Sequence, residues 1–122
     1  MSRVDRGANV PGRVFRALQA AATRQATHVN GTLIAASYTV KPADSIIWVT
    51  TSGGAITVTL PPARFNKERM LTVVDRSGNA AANNVTLDGN GAETINGAAT
   101  FAMNVNRMSI TLHCDGTEWY IV

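Results

Sequence analysis

The stretch Ser45 to Pro62, Ser-Ile-Ile-Trp-Val-Thr-Thr-Ser-Gly-Gly-Ala-Ile-Thr-Val-Thr-Leu-Pro-Pro, constrains the fold more than any other part of the chain. Ile46 to Thr51 and Ile56 to Leu60 are rich in β-branched and aromatic residues, which suit a pleated, half-buried surface. Between them, Ser52-Gly53-Gly54 supplies residues that tolerate the positive φ of a tight turn, so the two runs are expected to pair as an antiparallel hairpin. In the second run Ile56, Val58 and Leu60 alternate with Thr57 and Thr59, the period-2 pattern of a strand with one apolar and one hydroxyl-bearing face. Pro61 and Pro62 end it, since neither has an N–H for a ladder.

The same grammar runs through most of the chain. Leu33 to Ala36, Tyr38 to Val40, Met70 to Asp75, Asn84 to Leu87, Thr94 to Asn96, Ala99 to Val105, Met108 to Cys114 and Glu118 to Val122 read as short strands. Turn signals separate them at Lys41-Pro42-Ala43-Asp44, Arg76-Ser77-Gly78-Asn79, Asp88-Gly89-Asn90-Gly91 and Asp115-Gly116-Thr117, while Ala63 to Arg69 reads as a polar connection. The pattern predicts an all-β fold, an antiparallel β-sandwich or barrel-like domain over residues 31–122. Val58-Thr59-Leu60, Val85-Thr86-Leu87 and Ile110-Thr111-Leu112 echo one another, which shared strand grammar explains better than duplication.

Residues 1–30 have a different composition. Met1 to Gly12 carries Gly7, Asn9, Pro11 and Gly12 without apolar periodicity and reads as an arm. Arg13 to Ala26 places Val14, Leu18, Ala21 and Ala22 near helical spacing, so a short helix is expected, followed by a hinge at Thr27 to Thr32. This leader holds five arginines against one acid, whereas residues 31–122 hold six basic and seven acidic side chains. The net charge of +3 therefore sits in a basic leader beside a near-neutral domain, the signature of a docking arm.

At 122 residues the chain suits one domain with its own core, and the single cysteine, Cys114, rules out an intrachain disulfide. No apolar run approaches the roughly 20 residues of a membrane-spanning helix, and the N-terminus lacks the hydrophobic region of a signal peptide. A product made in the cytoplasm and without a membrane partner is expected.

Chemistry-bearing residues are sparse. His28 falls in the expected hinge, and His113 and Cys114 are strand neighbours whose side chains point to opposite faces, so they form no local nucleophile–base pair. Cys114 reads as a small core residue. Asp88-Gly89-Asn90-Gly91 with Glu93 has oxygen donors but lacks the ligand pattern of a calcium loop, and reads as a turn. The sequons at Asn30 and Asn84 read as chance matches, and there is no glycine-rich phosphate loop. Trp48, Trp119 and Tyr120 offer a sugar-stacking platform, although seven aromatics barely furnish a core for a domain of this size. No catalytic residue, metal site or cofactor is expected, and the chain is read as a non-enzyme.

Tyr38-Thr39-Val40 to Asp44, Ser52-Gly53-Gly54, Ile56 to Pro61, Val74-Asp75-Arg76-Ser77-Gly78-Asn79-Ala80, Thr94-Ile95-Asn96-Gly97 and Asp115-Gly116-Thr117-Glu118-Trp119-Tyr120 stand in an order that resembles a β module of tailed bacteriophages. The module occurs in head fibres, capsid decoration proteins and tail fibres, and the resemblance covers residues 38–122. It implies a homotrimeric, non-enzymatic virion component on the capsid surface, bound to the major capsid protein or another virion protein. Alanine and threonine at many strand positions also suit close approach of chains around an axis. The expected function is capsid decoration (cement) or head fibre; a tail-fibre or baseplate module binding a host receptor or glycan is the alternative within the virion. A short chain opening on methionine favours decoration, because tail fibres carry such modules within longer chains. Outside the virion, the rivals are a glycan-binding domain and a small enzyme.

The leader is the expected anchor. Arg3, Arg6, Arg13, Arg16 and Arg24 would face acidic groups on capsid subunits, with Val14, Phe15 and Leu18 entering a shallow apolar site. Guanidinium groups would also suit phosphates, but nucleic acid is not the favoured partner.

Overall fold

A computed structural model describes residues 31–122; the expected arm, helix and hinge before Gly31, His28, and the capsid-binding candidates Arg3, Arg6, Arg13, Phe15, Arg16 and Leu18 lie outside the described residues. The β-branched runs form nine described strands: β1 Gly31–Ile34, β2 Tyr38–Thr39, β3 Ile46–Val49, β4 Ile56–Thr59, β5 Met70–Asp75, β6 Val85–Asp88, β7 Thr100–Met103, β8 Ser109–Cys114 and β9 Trp119–Ile121. A 3₁₀ turn, Ala63–Phe65, stands in the polar connection.

The strands divide into two mixed sheets. The first has five strands in the order β9-β8-β5-β3-β1, and the second has four in the order β2-β4-β6-β7. From β1 to β6 the chain alternates between sheets, and each strand lies parallel to the one two places on. Residues 31–88 thus wind as a coil with one strand of each turn in each sheet. β7, β8 and β9 then run antiparallel to their neighbours.

This corrects two expectations. The sheets are not purely antiparallel, and β3 and β4 are not a hairpin. Gly54 N–H does close a turn on Thr51 C=O at 3.0 Å, but the turn carries the chain from one sheet to the other. β3 pairs instead with β1 and β5, as in Ile47 beside Thr32 and Val73, while β4 pairs with β2 and β6. The register also offsets the repeated triplets, because Val85 lies beside Ile56 and Leu87 beside Val58.

Alternation places the core. Ile47, Val49, Leu71, Val73, Leu112 and Trp119 of the first sheet and Ile56, Val58, Val85, Leu87 and Met103 of the second are buried in one cluster. Burial of each large aliphatic side chain is worth about 1.5–3 kcal/mol relative to exposure. Thr94 to Asn96 is not a strand: Ile95 makes isolated bridges with Ala98 and Trp119.

Candidate functional site

The motif residues sit where the coil turns, and their polar atoms face the backbone. Asp44, ahead of β3, is buried; its Oδ1 accepts from Thr32 Oγ1, and its Oδ2 from Tyr38 Oη and the Lys41 N–H, all at 2.7 Å. Burial pushes this carboxyl up, but those hydrogen bonds and the nearby Arg69 charge outweigh it and hold Asp44 below its usual value. The phenol of Tyr38, donating to that carboxylate, is pushed up to about 12. Arg69 completes the junction by donating to the carbonyls of Lys41 and Asp44 and to Asn66 Oδ1.

Asp75 is the counterpart at the opposite end of the strands. It is 1% exposed, and its carboxylate accepts from Ser77 Oγ and the backbone N–H groups of Gly78, Ala80 and Arg107, each at 3.0 Å. Again burial opposes ionisation, and the four donors hold the group below its ordinary value. The surrounding turns are tied to each other: Asn83 Nδ2 donates to Thr51 C=O at 2.8 Å, the Thr51 N–H to Ser77 Oγ at 3.0 Å, and the Ala81 N–H to Asn106 Oδ1 at 2.9 Å. Gly78, with φ +74, presents its bare Cα to Arg107; a Cβ there would come within 2.6 Å of Arg107 Nε.

Two further motif residues act alike. Asp115 Oδ1 accepts from the N–H groups of Thr117 and Glu118 at 2.8 Å, closing the last turn, and Asn96 Oδ1 accepts from the Ile121 N–H at 3.0 Å. Asn96 holds a φ of +50, a conformation asparagine tolerates better than most residues.

The residues singled out for chemistry are dispersed. Cys114 points inward at 1% exposure with its thiol pushed up by burial, while His113 points outward and meets Glu68 at 2.8 Å. Both oxygens of Glu93 accept from the Ala63 N–H, which places this carboxylate on the 3₁₀ turn. Among the described residues no group of three or more His, Cys, Asp or Glu could hold a metal ion, and no helix is long and apolar enough to cross a membrane. Trp119 is wholly buried, with no hydrogen-bond partner for its Nε1 among the described residues, so the three-aromatic platform does not form. Asn84 is half-buried at the entry to β6.

What the structure does assemble is a surface. The register aligns Leu33, Trp48, Val74 and Ser109 across the outer face of the first sheet, then Gly31, Ile46, Thr72 and Thr111, then Met70, His113 and Tyr120. None of these aligned strand residues is Asp, Glu, Lys or Arg; Arg76 at one margin, and Glu68 and Asp115 at the other, bring the nearest charges. Leu33 is 64% exposed, Met70 53% and Tyr120 42%. Trp48 lies against Gly31, where a Cβ would overlap the indole Nε1, and with Leu33 and Arg76 it borders an open depression. The outer face of the second sheet is of another kind, with Thr39, Thr59, Asp88 and Thr100 in one row and Thr57, Thr86 and Ala102 in the next. The alternation in β4 signals that polar face in the sequence. The apolar one was readable only as a lack of charge in Ile46 to Val49 and Leu71 to Val74.

No known family model matches the chain, and no curated protein is significantly similar to it.

Proposed function

We propose that the chain is a structural protein of a tailed-bacteriophage virion, a capsid decoration or head-fibre protein that performs no catalysis. The observation that carries this reading is how the motif residues are used. Asp44, Asp75, Asn96 and Asp115, which bear the resemblance, direct their side-chain oxygens at turn backbone and at neighbouring structural side chains. Such a domain holds a shape, and its outer faces are left for contacts.

In this reading the β domain is a homotrimer projecting from the capsid surface. Residues 1–30 hold it to the major capsid protein or another virion protein through Arg3, Arg6, Arg13 and Arg16, with Phe15 and Leu18 as apolar anchors. The test is to add the full chain, and a variant lacking residues 1–30, to particles from which the protein is missing. The full chain should bind and the variant should fold without binding. Equal binding by both would move the attachment to the β domain. Failure of the full chain would remove the decoration reading.

The alternative is a tail-fibre or baseplate module binding a host receptor or glycan, favoured by Trp48 beside Arg76 in an open depression. Saturable binding of cell-surface saccharides, lost in Trp48→Ala, would select it.

A further inference from the structure

We infer that the outer face of the first sheet is the surface through which copies of this chain meet. The inference rests on the homotrimer proposed above and assigns it an interface. One fold presents two outer faces of opposite chemistry: threonine rows on the second sheet, and Leu33, Ile46, Trp48, Met70, Val74 and Tyr120 on the first. A sheet face turned to water carries polar side chains, whereas contiguous exposed apolar residues mark an interaction site.

The occupant follows from charge. An acidic or basic partner would be met by formal charges of opposite sign across the face; among the described residues the strand positions of this face carry none, and charged side chains stand at its margins, Arg76 beside Trp48 at one end and Glu68 and Asp115 beside His113 and Tyr120 at the other. A face whose strand positions carry no charge can meet its own copies without like charges opposing each other at its centre. Size agrees. Five strands at about 4.8 Å spacing and three to six residues long make a face of roughly 400 Å² in projection. That matches the apolar centre of a standard interface of ~800 Å² per partner, whose rim is polar. Meeting edge to edge through β9 is blocked, because the Trp119 N–H already donates to Thr94 C=O and Trp119 C=O accepts from the Asn96 N–H.

Light scattering on the full chain and two double variants tests this. Leu33→Glu with Met70→Glu charges the first face at residues already exposed in one protomer, and Thr39→Glu with Ala102→Glu does the same to the second. The unaltered chain should have three times the protomer mass, the first variant one protomer mass with unchanged circular dichroism, and the second variant the trimer mass. Should the first variant fail to fold, peroxide footprinting of the unaltered chain decides. Met70 should resist oxidation as buried Met103 does, and rapid oxidation of Met70 would overturn the interface. A folded first variant that stays trimeric also overturns it while leaving the homotrimer standing. A monomeric unaltered chain removes both, and capsid attachment is judged separately by the particle-binding experiment.

Discussion

Asp75 and Arg107 lie 32 residues apart, and the carboxylate of the first accepts the backbone N–H of the second at 3.0 Å. That bond joins the turn after β5 to the turn before β8, and Arg107 holds a φ of +66 to make it. Its guanidinium in turn donates to the Arg76 carbonyl. Asp75→Asn keeps the shape but replaces one acceptor oxygen with an amide donor facing N–H groups. Leaving a buried donor unsatisfied costs about 1–3 kcal/mol. The expected loss is therefore about 3 kcal/mol, read as a lower urea midpoint with an unchanged m-value.

Acid should weaken the domain. Asp44 and Asp75 are held below their ordinary value of 3.8, so their contribution is full above that value and is lost as pH falls through the depressed folded values. Urea unfolding should show stability falling from about pH 4 downward, and less steeply in Asp75→Asn, which removes one titrating group.

Tyr38 sets the alkaline limit. Its phenol is raised from 10.0 to about 12, so the folded state holds a proton that the unfolded state releases, and stability falls as pH rises between those values. Tyr38→Phe should flatten that limb, at the expense of one hydrogen bond to Asp44.

Gly78→Ala should destabilise by about 2 kcal/mol, since a left-handed residue bearing a Cβ costs roughly 1–2 kcal/mol and Arg107 must also move. Thermal unfolding at neutral pH would measure it.

Cys114→Ala should cost on the order of 1 kcal/mol, for the lost Sγ contacts with Ala63 C=O and the Gly116 N–H. In the unaltered protein the thiol should react with Ellman's reagent only as fast as the domain opens, because burial both shields it and raises its value.

Which side of each strand faces the core was legible, because alternation is a local property: Ile56 and Val58 are buried as their spacing predicts, with Thr57 and Thr59 outside. Partners were not. Ile46 pairs with Thr72 and Ile56 with Val85, and nothing within a strand encodes a neighbour so far along the chain. A glycine-rich turn between two β-branched runs looks the same whether it returns along one sheet or crosses to the other. Cys114 and His113 could be assigned to opposite faces because neighbours in a strand always diverge. Asp44 stood in a turn, and Asp75 at a strand end beside a turn, whose composition was recognised, but the distant donors, Thr32 and Arg107, are supplied by the fold.

The two tryptophans lie in opposite surroundings, Trp119 enclosed at 0% exposure and Trp48 at the apolar outer face. Their fluorescence therefore divides into two channels. Emission from Trp119 reports on integrity of the interior, stays blue-shifted and resists quenching by iodide until the domain opens. Emission from Trp48 responds to whatever covers the first sheet. One unlabelled sample, with quencher titrated against protein concentration, can follow folding and association separately.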